Sequence, residues 1–359
     1  MTLSVGLIGC GFIGAFHSRN IKDIQSRGLA DVRYQAVCDR DRARAERFAA
    51  LAGVPLVADR AEEVIEQCDA VYVCTETAEH PALVAAAARA GKHVFCEKPL
   101  ATDLAAAEAM ARQVTDAGIV HQVGLVLRFS PVYRVLEEWL AESSAPVLTA
   151  HLRDDQCFPV DGQYGSTWRA DVHRAGGGTL LEHSIHDVDL LRRLFGPIVR
   201  VRCHTRNLAG HPGIEDVAVV TFHHAGGHQS TLTSVWHGVT TRPSSRHLEV
   251  FCADVRLETH QDYFGTLTIE HGAEPAVTLS NDEVLARFMA AEALQPRRED
   301  LRSLAALCDR RFLEAAIAGR PASPSFDDAL VAHRIVDACY RSAAEDRDVA
   351  LEDPLVSRR

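Results

Sequence analysis

Apolar positions recur along this chain in two different rhythms. Up to residue 125, short apolar runs (SVGLI, VRYQAVC, PLVA, AVYVC, KHVF and IVHQVGL) alternate with stretches of helical spacing such as DRARAERFAALAG and HPALVAAAARAG. The latter ends on Gly91, a residue type suited to closing a helix. Strand, helix, strand at this cadence predicts a doubly wound parallel sheet.

Beyond residue 126 the rhythm changes. A helix is expected over 131–141 and a strand over 147–153, before a long polar segment that runs to the triple glycine at 176–178. Six further strands follow, IVRVRCHT, DVAVVTFHH, QSTLTSVWH, RHLEVFC, DVRLET and YFGTLTIE, with a hairpin signal at AGGH. The expected fold is therefore α/β. A Rossmann domain over 1–125 precedes an α+β domain over 126–359, whose largely antiparallel open sheet has one face left for helices or another subunit. Two helices should finish the chain, the last starting at Ser325 with Asp328 in a capping-box position.

Composition narrows the partners. The 359 residues are 47% hydrophobic and 24% charged, with a formal charge of −11 and no basic stripe. Nucleic acid and an anionic membrane are thus poor partners. The start of the chain enters a strand pattern with no basic–apolar leader, and no apolar run approaches a membrane span, so a cytoplasmic protein is expected. Ten scattered cysteines without metal-type spacing suit reduced, buried thiols.

Two motifs carry chemistry. GCGFIG follows the first strand and opens a helix: Gly9 for the tight turn, Gly11 for backbone approach to a pyrophosphate and Gly14 for close packing, with Phe12 and Ile13 between them. A pyrophosphate would meet free N–H groups at the helix start. Asp39, closing the second strand, can bind ribose hydroxyls and repels a 2′-phosphate, which favours NAD, while Arg40 beside it leaves NADP open. Asp39 could also cap the next helix. The second motif, GGGTLLEHSIHDVD (176–189), predicts one helix aligning Glu182, His186, Asp189 and Arg193 opposite a core arc of Leu181, Ile185, Val188, Leu191 and Phe195. His183, His186 and Asp187 could meet at a metal, but nothing else in the sequence supports one, and none is expected. The glycines would let substrate or nicotinamide approach the backbone.

With CTETAEH after the fourth strand and HVFCEKPLA at the fifth, the chain resembles the Gfo/Idh/MocA oxidoreductases, a family that includes glucose–fructose oxidoreductase and inositol dehydrogenases. The resemblance spans nearly the whole sequence. It implies NAD(P)-dependent oxidation or reduction of a sugar, polyol or related cyclic hydroxy compound, with Lys98 and His186 as catalytic residues and a homodimer or homotetramer as the assembly. It further implies cofactor contacts from Thr75, Glu76, His80, Glu97, Trp168 and Arg169, and substrate contacts from Lys98, Arg128, Glu182, His183 and His186. Core packing is the competing role for Trp168, a structural ion pair for Arg128, and a hydrogen-bonded support for His183. Two departures stand out: Glu182 replaces the usual aspartate, and Thr75-Glu76-Thr77 replaces the usual TPN.

In the mechanism so implied, hydride passes from a carbinol carbon to nicotinamide while Lys98 and His186 share the hydroxyl proton and Glu182 orients the pair or a substrate hydroxyl. A lysine needs tuning for this, since its unperturbed pKa is about 10.4. Polar side chains in the 151–173 segment are expected to set specificity. Two other functions remain open at this point: an NAD-dependent glycoside hydrolase working by transient oxidation, and a non-enzymatic NAD sensor.

Overall fold

The computed structural model describes residues 2–351, apart from 144, 161–163, 242, 261 and 296–298. The chain divides into two compact units, Met1–Leu125 with Arg298–Leu330, and Val126–Arg297 with Val331–Arg359. The first unit begins β1 (Leu3–Ile8), α1 (Phe12–Ser26), β2 (Val32–Cys38), α2 (Arg42–Ala52), β3 (Leu56–Ala58) and α3 (Ala61–Gln67). It continues β4 (Ala70–Val73), α4 (His80–Arg89), β5 (His93–Cys96), α5 (Leu104–Asp116) and β6 (His121–Val123). Its described strands form one parallel sheet ordered β3-β2-β1-β4-β5-β6, the doubly wound arrangement expected from the alternation. The central strands β1 and β4 are buried at every residue, as a sheet covered by helices on both faces requires.

The second unit contains α6 (Pro131–Glu142), β7 (Val147–Cys157), α7 (Val172–Ala175), α8 (Thr179–Glu182), α9 (Ile185–Phe195), β8 (Ile198–Arg206), β9 (Val217–His224) and β10 (Gln229–His237). Next come β11 (Ser245–Cys252), β12 (Val255–Thr259), β13 (Leu267–His271), β14 (Val277–Leu279) and α10 (Asn281–Ala291). The final elements are α11 (Leu301–Ala305), α12 (Leu307–Ala318), α13 (Phe326–Glu345) and β15 (Val349–Ala350). The sheet runs β14-β13-β12-β11-β7-β10-β9-β8-β15, antiparallel except where β10 lies parallel to β7. Strict alternation of buried and less buried residues in β11 gives it one core face and one outer face, as the sequence period demands. The short strands β14 and β15 escape a periodicity reading.

The first unit is not one continuous stretch of chain. Residues 298–330, expected in the second domain, return to the first. There α11 and α12 pack on α1, and Phe326, Ala329 and Leu330 join the core cluster around β4 and β5. Amphipathic helices do not announce which core they serve, which is why sequence order misplaced them. The capping box at Ser325 forms, with Asp328 N–H donating to Ser325 Oγ and Ser325 N–H to Asp328 Oδ2. All ten cysteines are unbridged thiols, nine of them buried. No helix among the described residues is long and apolar enough to cross a membrane.

Candidate functional site

In the first unit, parallel strands bring distant residues to one sheet edge. Gly9, Asp39, Thr75 and Glu97–Lys98 all follow the carboxyl ends of their strands β1, β2, β4 and β5. Gly9 has φ +100°, and a Cβ there would lie 2.6 Å from the Cys74 carbonyl. A Cβ on Gly14 would lie 2.0 Å from the Gly9 carbonyl oxygen, whereas one on Gly11 would meet nothing within 4 Å. So Gly9 seats the turn against the end of β4, Gly14 packs α1 onto the turn, and Gly11 leaves its backbone uncovered. Gly11 is also the N-cap of α1 and supplies no side-chain cap, so first-turn N–H groups keep their affinity for an anion.

Asp39 braces this turn: its Oδ2 accepts from Cys10 N–H at 2.8 Å and its Oδ1 from Asp41 N–H at 2.8 Å. The helix-capping role considered for Asp39 belongs instead to Asp41, which stands directly before α2 and accepts from Arg44 N–H. Arg40 is ion-paired with buried Glu76. Thr75 Oγ1 is buried and finds no hydrogen-bond partner among the described residues, an orphaned hydroxyl beside the glycine turn. Phe12 is exposed and Ile13 half-buried at the helix start. His80 ties two loops together, its ring nitrogens facing the carbonyls of Pro99 and Thr75 at 2.9 and 3.2 Å. The Lys98–Pro99 peptide is cis. These features fit a dinucleotide: an uncovered backbone, an uncapped helix start and an unsatisfied hydroxyl at one sheet edge.

Beneath Lys98 lies a group the sequence reading missed. Glu97 Oε2 accepts from the Lys98 N–H at 3.2 Å, and Glu97 Oε1 faces His17 Nε2 at 2.9 Å. His17 Nδ1 in turn faces Asp309 Oδ1 at 2.6 Å, and Asn20 donates to Asp309 Oδ2 at 2.7 Å. His17 sits three residues after Gly14, a position that alone resembles a helix residue facing the core, and Asp309 is nearly three hundred residues away.

In the second unit, the predicted single helix from 179 is two. His183, at φ −120° and ψ −63°, breaks it between α8 and α9. At the break both side chains are anchored to β7: Ser184 Oγ donates to Asp154 Oδ2 at 2.7 Å and His183 Nε2 lies 3.1 Å from Asp154 Oδ1. Glu182 therefore does not share a helix face with His186, Asp189 and Arg193. The core arc behaves as expected, with Leu181, Ile185, Val188, Leu191 and Phe195 all buried. Buried Glu182 accepts from Arg169 Nε at 3.0 Å, and the Arg169 guanidinium stacks 4.4 Å above the Trp168 ring. Trp168 also packs on Ala175, Ile214 and Trp236. His186 opens α9 and is 8% exposed.

Arg128 makes the structural ion pair, a two-pronged contact with Asp189 at 2.7 and 2.6 Å. Asp187 is taken by Arg246 Nε at 2.7 Å, so the carboxylate needed for a metal with His183 and His186 is engaged elsewhere. The triple glycine is constrained from within its own unit. Gly176 takes φ +85° to end α7, a Cβ on Gly177 would lie 2.4 Å from Tyr340 Oη, and one on Gly178 would lie 1.9 Å from the Glu215 carbonyl oxygen. Glu215 clamps this turn, its carboxylate accepting from the Gly178 and Leu180 N–H groups. Packing and backbone conformation within the unit already require these glycines. In the polar segment at 151–173, Gln163 lies outside the described residues.

The chain is similar to several known proteins. The inositol 2-dehydrogenase of Rhizobium meliloti is 28% identical across 98% of this chain and 100% of its own length. The myo-inositol 2-dehydrogenase of Thermotoga maritima is 28% identical over 98% of this chain and 99% of its own. A solved levoglucosan dehydrogenase, in complex with NADH and levoglucosan, shares the fold with a TM-score of 0.85 at 22% identity, covering 98% of this chain and 100% of that one. Residues 3–125 match the model for the oxidoreductase family, NAD-binding Rossmann fold, and residues 146–258 match the GFO/IDH/MocA C-terminal domain. On these matches the chain belongs to the Gfo/Idh/MocA family of NAD-dependent oxidoreductases.

Proposed function

We propose that this enzyme interconverts a secondary alcohol and a ketone on an inositol-like polyol or a sugar, with NAD as its redox partner. The observation that supports the reading most is the convergence of Gly9, Asp39, Thr75 and Lys98 at the carboxyl edge of one parallel sheet, where such folds take their ligands. The substrate class rests on the full-length match to inositol dehydrogenases.

Bound NAD would supply the hydride acceptor. The uncapped start of α1 would hold its pyrophosphate at Gly11–Ile13, and Asp39 would receive the adenosine ribose hydroxyls. Arg40, already paired with Glu76, offers less to a 2′-phosphate, which supports NAD over NADP. Lys98 and His186 would carry the proton of the reacting hydroxyl. Glu182, fixed by Arg169, would orient a substrate hydroxyl. Assembly as a homodimer or homotetramer and a cytoplasmic location complete the reading.

The test is a reduction screen of NAD and NADP against inositols, aldoses and sugar acids, followed by Lys98→Met on the best substrate. Reduction of NAD with release of free NADH, and a fall in turnover of about 10²–10⁴-fold in Lys98→Met with NAD affinity retained, are the expected results. No reduction across the panel would overturn the reading, and unchanged turnover in Lys98→Met would remove the lysine from it.

A further inference from the structure

We infer that His17 is a positioning residue for Lys98: clamped between Asp309 and Glu97, it fixes the carboxylate on which the lysine backbone rests. The inference builds on the role proposed for Lys98, but its geometry lies wholly within the first unit. The chain of contacts runs Asn20, Asp309, His17, Glu97, Lys98, with successive separations of 2.7, 2.6, 2.9 and 3.2 Å. Three segments that are remote in sequence supply it: α1 gives His17 and Asn20, α12 gives Asp309, and the end of β5 gives Glu97 and Lys98.

The site is built tightly. The imidazole is fully buried, packed 4.9 Å from the Phe95 ring and 5.5 Å from the Tyr72 ring. Gly124 completes it, because a Cβ there would fall 2.2 Å from Glu97 Oε1. Both ring nitrogens face carboxylates, so both must carry protons for both contacts to be hydrogen bonds, and the ring is then a cation. Burial opposes that charge, but Asp309 and Glu97 outweigh it and hold the His17 pKa up to about 10. Burial likewise works against an ionised Glu97, and His17, with Lys98, holds it below the usual range. Among the described residues, the other titratable groups around the cluster are the Tyr72 hydroxyl and the Cys74, Cys96 and Cys308 thiols. Burial drives all four well up, so they stay neutral and leave His17 and Lys98 as the cations available to Glu97.

Removing the imidazolium leaves a carboxylate in an apolar pocket, and such groups take up protons near neutrality. A protonated Glu97 would lose its charge-assisted hold on the Lys98 N–H and its pull on the ammonium. Lys98 would then lose its fixed place, and His17 would show its effect through the lysine alone.

The experiment compares wild type, His17→Gln, Glu97→Gln and the double variant. In His17→Gln, kcat should acquire an additional ionisation between pH 5 and 8, with turnover about tenfold lower on its acid side and the KM for NAD within about twofold of wild type. In the double variant that ionisation should vanish. A His17→Gln profile superimposable on wild type, with only a lower melting temperature, would overturn the inference. An independent arm follows the Lys98 Nζ resonance by NMR, assigned through its loss in Lys98→Met. Its titration midpoint should move in His17→Gln, and an unmoved midpoint would also overturn the inference. That arm needs no substrate, so failure of the polyol reading would appear as an inactive wild type with the lysine still responding to His17. Should His17→Gln fail to fold, Asp309→Asn loosens the same clamp from its far end and is read in the same two ways.

Discussion

Each unit buries a three-membered or larger cluster of charge, and the two are built on different cations. In the first, an imidazole lies between Asp309 and Glu97. In the second, the Arg246 guanidinium, 4% exposed, contacts Asp187 at 2.7 Å and Asp154 at 3.4 Å and is paired with Asp262. A guanidinium keeps its charge at any pH a protein survives, whereas an imidazolium can lose it. The arginine cluster is therefore a permanent brace beneath the break between α8 and α9. The histidine cluster is conditional, and it sits under the residue proposed to move protons. Even the brace has a titrating member: burial, opposed by Arg246, pushes Asp187 up to about 7.

The sharpest way to break this comparison is Arg246→Met. It leaves Asp154 and Asp187 buried without their cation, which should cost about 3–5 kcal/mol in denaturant melts; a loss below about 1 kcal/mol would mean the brace is dispensable. Next comes Gly178→Ala, whose Cβ meets the Glu215 backbone at 1.9 Å. About 1–3 kcal/mol should be lost, read as a lower unfolding midpoint, if the glycine run serves packing.

The pH dependence of melting separates the two clusters. His17 has a folded pKa of about 10 against 6.5 in the unfolded chain, so its stabilisation is complete below 6.5 and drains away towards pH 10. Asp187 rises from 3.8 to about 7, so its contribution is complete below 3.8 and is lost by neutrality. Calorimetry should show wild type weakening over both ranges, and His17→Gln weakening over the lower one only. A persistent alkaline decline of equal size in His17→Gln would assign that range to another group. The smallest effect on stability is expected from Gly11→Ala, whose Cβ enters open space: within about 0.5 kcal/mol, yet with weaker NAD binding by fluorescence titration. Gly14→Ala, with its Cβ 2.0 Å from the Gly9 carbonyl oxygen, should fail on both counts.

Local pattern alone makes the first sheet readable. Apolar runs mark β1 to β6, and the glycine spacing places its turn between β1 and α1. Pattern also carries the arc from Leu181 to Phe195, because helical spacing survives even where a helix is interrupted. The break itself is hidden, since Asp154, which anchors Ser184 and His183 there, lies about thirty residues away along the chain. The triple glycine misleads for a related reason. Its constraint comes from the Glu215 backbone and Tyr340, neither of which a window around residue 177 contains. His17 is invisible because a histidine at a core position of a helix carries no mark of its partners until α12 delivers Asp309.

The return of residues 298–330 to the first unit has a practical bearing on anyone dissecting this molecule. A recombinant piece truncated at Leu125 keeps His17 and Glu97 but forfeits Asp309, Phe312 and the apolar side chains from Phe326 to Leu330. Such a piece would expose bare core and hold an imidazole with one carboxylate where the intact chain has two. A faithful miniature would splice the 299–330 stretch onto residue 125 through a flexible tether, treating the second unit as an insert within a host rather than as a neighbour downstream.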